Sequence, residues 1–159
     1  RLRLPEVTLG IAPGLGAMVV PYRRWPAASG VLADMNRYGR ELTAADAREL
    51  GIVDAVAPDI AGLVSAAIDR VRALSEHDLE PIPDGPVELG VLDDGEAPAG
   101  EALDPEVVGI IDRAIRAAAA APTLGDALEI GYRAFGASAC TAAASENITA
   151  FVTRGAKGG

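Results

Sequence analysis

Apolar positions along the chain recur mostly at three- and four-residue spacing, which predicts amphipathic helices rather than half-buried strands. Between Ala27 and Tyr38, the residues Val31, Leu32 and Met35 fall on one face, and Gly39 follows as the terminating residue. Leu63, Val64, Ala67, Ile68, Val71 and Leu74 repeat the pattern, with Asp69, Arg70 and Arg72 on the outside. Three more helices are predicted toward the C-terminus. The first carries Val107, Val108, Ile111 and Ile115 into an alanine run ending at Ala121. The second bears Leu124, Leu128, Tyr132 and Phe135, and the last, near Thr141 to Arg154, presents Ile148, Phe151 and Val152. Shorter elements are a helix within Ala17–Arg24 limited by Pro21, a helix Ala44–Leu50 closed by Gly51, and a small strand Ile52–Val56.

Cap chemistry agrees with this division. Thr43 precedes a first turn containing Asp46, Asp104 is followed by Pro105, and Thr123 stands three residues before Asp126. The segment Asp78–Asp104 breaks the rhythm with nine acidic residues, no basic ones, four prolines and four glycines. It reads as a solvated loop that buries little apolar surface. The expected organisation is an α/β unit over 1–77, the acidic loop over 78–104, and a helical tail over 105–159.

Composition adds exclusions. A formal net charge of -9 without clustered basic residues argues against nucleic acid as a partner. No apolar run approaches the ~20 residues needed to span a bilayer, and the single cysteine, Cys140, excludes an internal disulfide and fits a reducing cytoplasm. Cys140 reads as a small buried apolar residue before a reactive thiol. The chain opens Arg1-Leu2-Arg3-Leu4 without methionine and runs into what reads as the interior of a domain, so the expectation is a fragment, or upstream residues that are processed away or carried on another chain.

Candidate chemistry is sparse. Glu6 lies between apolar residues, eight positions before Gly14 in the turn Pro13-Gly14-Leu15-Gly16. A partly desolvated carboxylate suits acid/base work, although an ordinary edge carboxylate has the same spacing. The turn lacks the lysine and Ser/Thr of a phosphate-binding loop. Arg23 and Arg24 beside Trp25 read either as a phosphate grip or as an exposed helix end. His77, the only histidine, reads as a solvated residue at a helix C-terminus, and with one cysteine no metal site is expected.

Three stretches in order then resemble the crotonase (enoyl-CoA hydratase/isomerase) family: Pro5-Glu6-Val7-Thr8-Leu9-Gly10-Ile11-Ala12-Pro13-Gly14-Leu15-Gly16, Leu42-Thr43-Ala44-Ala45-Asp46-Ala47 through Gly51-Ile52-Val53, and Glu146-Asn147-Ile148-Thr149-Ala150-Phe151-Val152-Thr153-Arg154. The resemblance implies an α/β fold, the C-terminal part of a ββα spiral followed by a helical tail. It implies acyl-CoA hydratase chemistry, with a coenzyme A thioester as substrate and no separate cofactor. Isomerisation, C–C hydrolysis and a non-catalytic assembly role are the alternatives. Glu6 would be the general acid/base and Gly14 the backbone donor that holds water. Phe135 and Arg154 would contact CoA on a neighbouring subunit, against bland readings as packing and an exposed cation. The family's second glutamate and its oxyanion-hole strand would lie upstream of Pro5, so an upstream half is expected as a partner, within a trimer or hexamer. Ala17-Met18-Val19-Val20-Pro21 departs from the family's Gly-Thr-Gln-Arg-Leu, which implies a differently shaped acyl end.

Overall fold

A computed structural model describes residues 1–75, 80–93, 95 and 103–155, and among these described residues are seven α-helices and two 3₁₀ turns. His77 and the remainder of 78–104 lie outside the described residues. The 3₁₀ turn Pro5–Leu9 leads through a glycine bend into α1 (Val20–Arg24). A second 3₁₀ turn, Pro26–Ala28, runs into α2 (Ser29–Tyr38) and then α3 (Ala44–Glu49). The later helices are α4 (Ile60–Ala73), α5 (Pro105–Ala120), α6 (Leu124–Ala139) and α7 (Ala142–Gly155).

Local chemistry explains the helix ends. Thr43 Oγ1 accepts from the Asp46 amide and Thr123 Oγ1 from the Asp126 amide, each satisfying an otherwise orphaned first-turn donor. Asp104 Oδ1 accepts from both Glu106 and Val107 ahead of a helix that begins with Pro105. Gly39 closes α2 in the left-handed conformation at φ 67°.

The α/β expectation is corrected. Among the described residues no strand forms, and the one extended pairing is an isolated antiparallel bridge between Leu2 and Leu42. The physical reason lies at Ile52–Val56. Gly51 turns the chain at φ 70°, and the amides of Ile52 and Val53 donate to the Ala47 carbonyl at 2.8 and 3.3 Å. Donors committed to the end of α3 cannot build a sheet ladder. The Pro5–Glu6 stretch is likewise helical, not extended.

One core joins the two ends of the sequence. Val7, Met18, Tyr22, Leu32 and Met35 pack with Val107, Ile111 and Ile115. Helix α5 lies between α2 and α6, and α7 rests on the Pro5–Leu9 turn. Between them runs residues 80–93, an extended strap in which Ile82, Val87, Leu89 and Leu92 are partly buried while Glu80, Asp84, Glu88 and Asp93 face solvent. The strap therefore buries more apolar surface than a solvated loop would. Arg23, expected to be a phosphate grip or an exposed helix end, is buried beneath it, as is Arg37. Arg23 donates to the carbonyls of Pro83, Gly85 and Ala118, and Arg37 to the carbonyl of Asp93 and, at 3.1 Å, to Asp112.

Helix α4 forms where its period predicts, yet Leu63, Val64, Ile68 and Val71 are all exposed. Cys140 is exposed as well, at the end of α6, rather than buried.

Among the described glycines, the closest approach to another segment's backbone is at Gly10, with φ 75°. A Cβ built there would sit 2.9 Å from the Ala143 carbonyl carbon and the Ala144 nitrogen, both backbone atoms of α7. Neither conformation nor space admits a side chain. Gly10→Ala is expected to cost roughly 2–4 kcal/mol in urea denaturation. Gly136→Ala is the control: its Cβ would meet nothing within 4 Å, so it should gain about 0.5–1 kcal/mol.

A pH dependence follows from Asp112. Burial alone pushes its carboxyl up, but the hydrogen bonds and charges of Arg116 and Arg37 outweigh that and hold it below the usual carboxylate value. The folded chain thus binds this proton less readily than the unfolded chain. The stabilisation is complete above the ordinary value of about 4 and is lost as pH falls through the lowered folded value. Asp112→Asn should lower the urea midpoint at pH 7 and narrow the gap between midpoints at pH 7 and pH 3.

Candidate functional site

The bend after Pro5–Leu9 is held from above by α6. The Ala12 amide donates to Ser138 Oγ at 2.8 Å, and the Ser138 hydroxyl donates to the Phe135 carbonyl at 2.8 Å. Gly131 lets α6 come close, since a Cβ there would lie 3.1 Å from Val19 Cγ2. These contacts leave a cavity of about 590 Å³ between the bend and the helix. Glu6, Pro13, Gly14, Leu15, Gly16 and Met18 form one side, and Leu128, Gly131, Tyr132 and Phe135 the other. Its size falls in the range of small-molecule sites.

The charge distribution in this cavity is simple. Glu6 is the one ionisable carboxylate among its walls, which are otherwise apolar apart from backbone and the Tyr132 hydroxyl. Glu6 Oε2 is enclosed by protein, and among the described residues no donor reaches it. An unsatisfied enclosed acceptor costs stability, so its retention calls for an explanation other than folding.

Three residues singled out from the sequence come together here: Glu6, Gly14 and Phe135, all within one chain. Gly14 lies directly below the Phe135 ring, and a Cβ on it would stand 3.6 Å from Cδ2 and Cε2. That is an ordinary contact, so glycine at 14 is required by neither strain nor collision. Arg154 is placed apart. It is exposed in the last turn of α7 and shares an open cleft with Ser145, Glu146, Thr149, Ala150 and Thr153.

In the sequence Met18 stands out only within the departing stretch Ala17–Pro21, and Leu128 and Tyr132 only as apolar positions on one helix face; the structure makes Met18 the buried floor and sets the other two across from it. The available signal was Gly131 within the 128–132–135 face, a break in the side-chain layer of an otherwise apolar stripe. Among the described residues, no three His, Cys, Asp or Glu side chains gather so as to hold a metal ion, and no helix is long and apolar enough to cross a membrane.

Comparison with known proteins gives one partial likeness. Over 61 residues, 37% of this chain, the sequence is 44% identical to the fatty acid oxidation complex subunit alpha of Vibrio parahaemolyticus serotype O3:K6. The match spans 8% of that protein's length. No family model matches the chain, and no solved structure matches it.

If the space over Gly14 is open, Gly14→Ala should leave stability within about 1 kcal/mol of the parent. It should also shift the ring-proton resonances of Phe135. A larger loss of stability would mean that the volume is already filled.

Proposed function

We propose that the chain supplies part of an acyl-CoA site in fatty acid oxidation, in which Glu6 carries the proton exchanged at the carbon beside a thioester carbonyl. The reaction is of the enoyl-CoA hydratase type. The observation that carries this reading is the placement of Glu6 and Gly14 on one otherwise apolar cavity. The partial likeness to a fatty acid oxidation complex subunit supports the substrate class.

The chemistry runs as follows. Acidity next to a thioester depends on donors that stabilise the developing oxyanion. A carboxylate beside that carbon then moves the proton, inside an apolar surround that limits access of water. Gly14 leaves room for the attacking water and offers its amide to it. The oxyanion donors and the second carboxylate of such a site come from a companion segment folded against this chain. Arg154, exposed on α7, is available to the phosphates of a CoA held by a neighbouring copy. The uncovered apolar faces of α4 and α7 are consistent with assembly into an oligomer.

In the complete enzyme, Glu6→Gln is expected to lower kcat for crotonyl-CoA hydration by about 100-fold or more while KM changes little. The isolated chain is expected to show no appreciable turnover. An unchanged kcat in the Gln variant would reduce Glu6 to a bystander and leave the chain an assembly role. Full turnover by the isolated chain would remove the need for a companion segment.

A further inference from the structure

Leu15 combines three properties that rarely coincide. Its φ is 53°, in the left-handed region that a branched aliphatic residue enters only at a conformational cost. Its side chain is fully exposed, so burial in the free protein does nothing to offset that cost. It also lines the cavity that holds Glu6, flanked by Gly14 and Gly16. Glycine would sit at this position without strain, as Gly16 does beside it at φ 81°. A strained residue that gains nothing from its own fold points to something that covers it in use.

The surroundings identify what that is. Leu128, Tyr132 and Phe135 are each at least a third exposed and stand on the opposite side of the same opening. Together with Leu15 they make an apolar rim around a cavity of about 590 Å³, a volume for a small molecule rather than a peptide. The one charged wall residue, Glu6, lies on the same side as Leu15. A ligand with its reactive, polar part near Glu6 would run its hydrocarbon past the rim.

We propose that Leu15 is a specificity-determining residue: its side chain closes over the hydrocarbon of the acyl group and sets how much of that chain the site retains. This rests on the acyl-thioester reading of the cavity. It also goes beyond that reading, because it assigns chain selectivity to a strained residue on the bend.

The test uses the 159-residue chain, with hexanoyl-CoA and free CoA as probes in titration calorimetry, and the variants Leu15→Ala and Leu15→Gly. Both variants should weaken hexanoyl-CoA binding about tenfold, the effect of losing most of one leucine's burial, and leave CoA binding unchanged. Leu15→Gly, which relieves the backbone, should melt at the same temperature as the parent or higher. Parental affinity for hexanoyl-CoA in both variants would overturn the inference and leave the acyl-thioester reading standing. A lower melting temperature in Leu15→Gly, with both probes weakened alike, would also overturn it by making Leu15 structural. A parent chain that binds hexanoyl-CoA no better than CoA would remove both readings together.

Discussion

Everything distinctive about this fold depends on two backbones meeting at Gly10. The first turn of α7 lies against a residue more than 130 positions earlier in the chain, at a distance no Cβ could occupy. Two residues on, the Ala12 amide is tied to Ser138 on α6. The pair of contacts fixes the N-terminal bend against the C-terminal helices in both position and slope. The cavity is what remains, since α6 is anchored at Ser138 and pressed close at Gly131 while the bend beneath it turns away through Gly14 and Gly16. A side chain at Gly10 would lift α7 and loosen the floor on which Glu6 sits. Close packing transmits such a displacement because the interior has little free volume to absorb it.

A second constraint acts from the side. Arg23 and Arg37 are buried cations whose partners are largely the carbonyls of the acidic strap and α5. Carbonyl dipoles alone compensate a buried guanidinium poorly, and the Nε atoms of both residues lack partners among the described residues. Arg37 is better served, because Asp34 and Asp112 lie within 3.6 and 3.1 Å of it. The strap's backbone thus satisfies charges that the helices could not bury by themselves. Its own carboxylates stay exposed, and that of Asp84 accepts from the Leu124 amide at the start of α6. An acidic, proline-rich segment can in this way be integral to the core without carrying a hydrophobic run.

Most of the helical architecture was legible in the sequence because it is local. Gly39, Thr43, Asp104 with Pro105, and Thr123 act within one turn of their own positions, and each ends or starts the helix expected of it. What the sequence did not disclose was non-local. Ile52–Val56 has the composition of a strand, but its first amides are taken by Ala47, and β-propensity cannot reveal that a donor is already committed. The stripe on α4 has a helix's period, and period alone does not say whether a partner covers it. Of the candidate site, Glu6 was legible from its apolar setting ahead of the bend, and Gly14 only through the resemblance. Phe135 was legible as a residue of interest through the resemblance, and it lines the cavity of its own chain. Met18 was legible only within the departing stretch Ala17–Pro21, and the burial of Arg23 was not legible, since what packs above a guanidinium decides it.

The distribution of unfavourable features is itself informative. An enclosed carboxylate oxygen without a donor, a leucine in the left-handed region and a cluster of exposed aromatic and aliphatic side chains each lower the stability of the free fold. Scattered over the surface, they would be unremarkable defects. Here all three border one cavity, while the rest of the core places Val7, Ile111, Ile115 and Tyr22 in nearly complete burial. The exposed stripe of α4 and the Nε atoms of Arg23 and Arg37, which lack partners among the described residues, are unfavourable features elsewhere in the fold, while these three meet at one mouth. The rigid contacts at Gly10 and Ser138 allow this, because they hold the bend in a geometry that its own residues do not favour. The scaffold's strongest constraints and the site's least comfortable residues therefore belong to one arrangement, in which close backbone packing on one side keeps an open, strained and apolar mouth on the other.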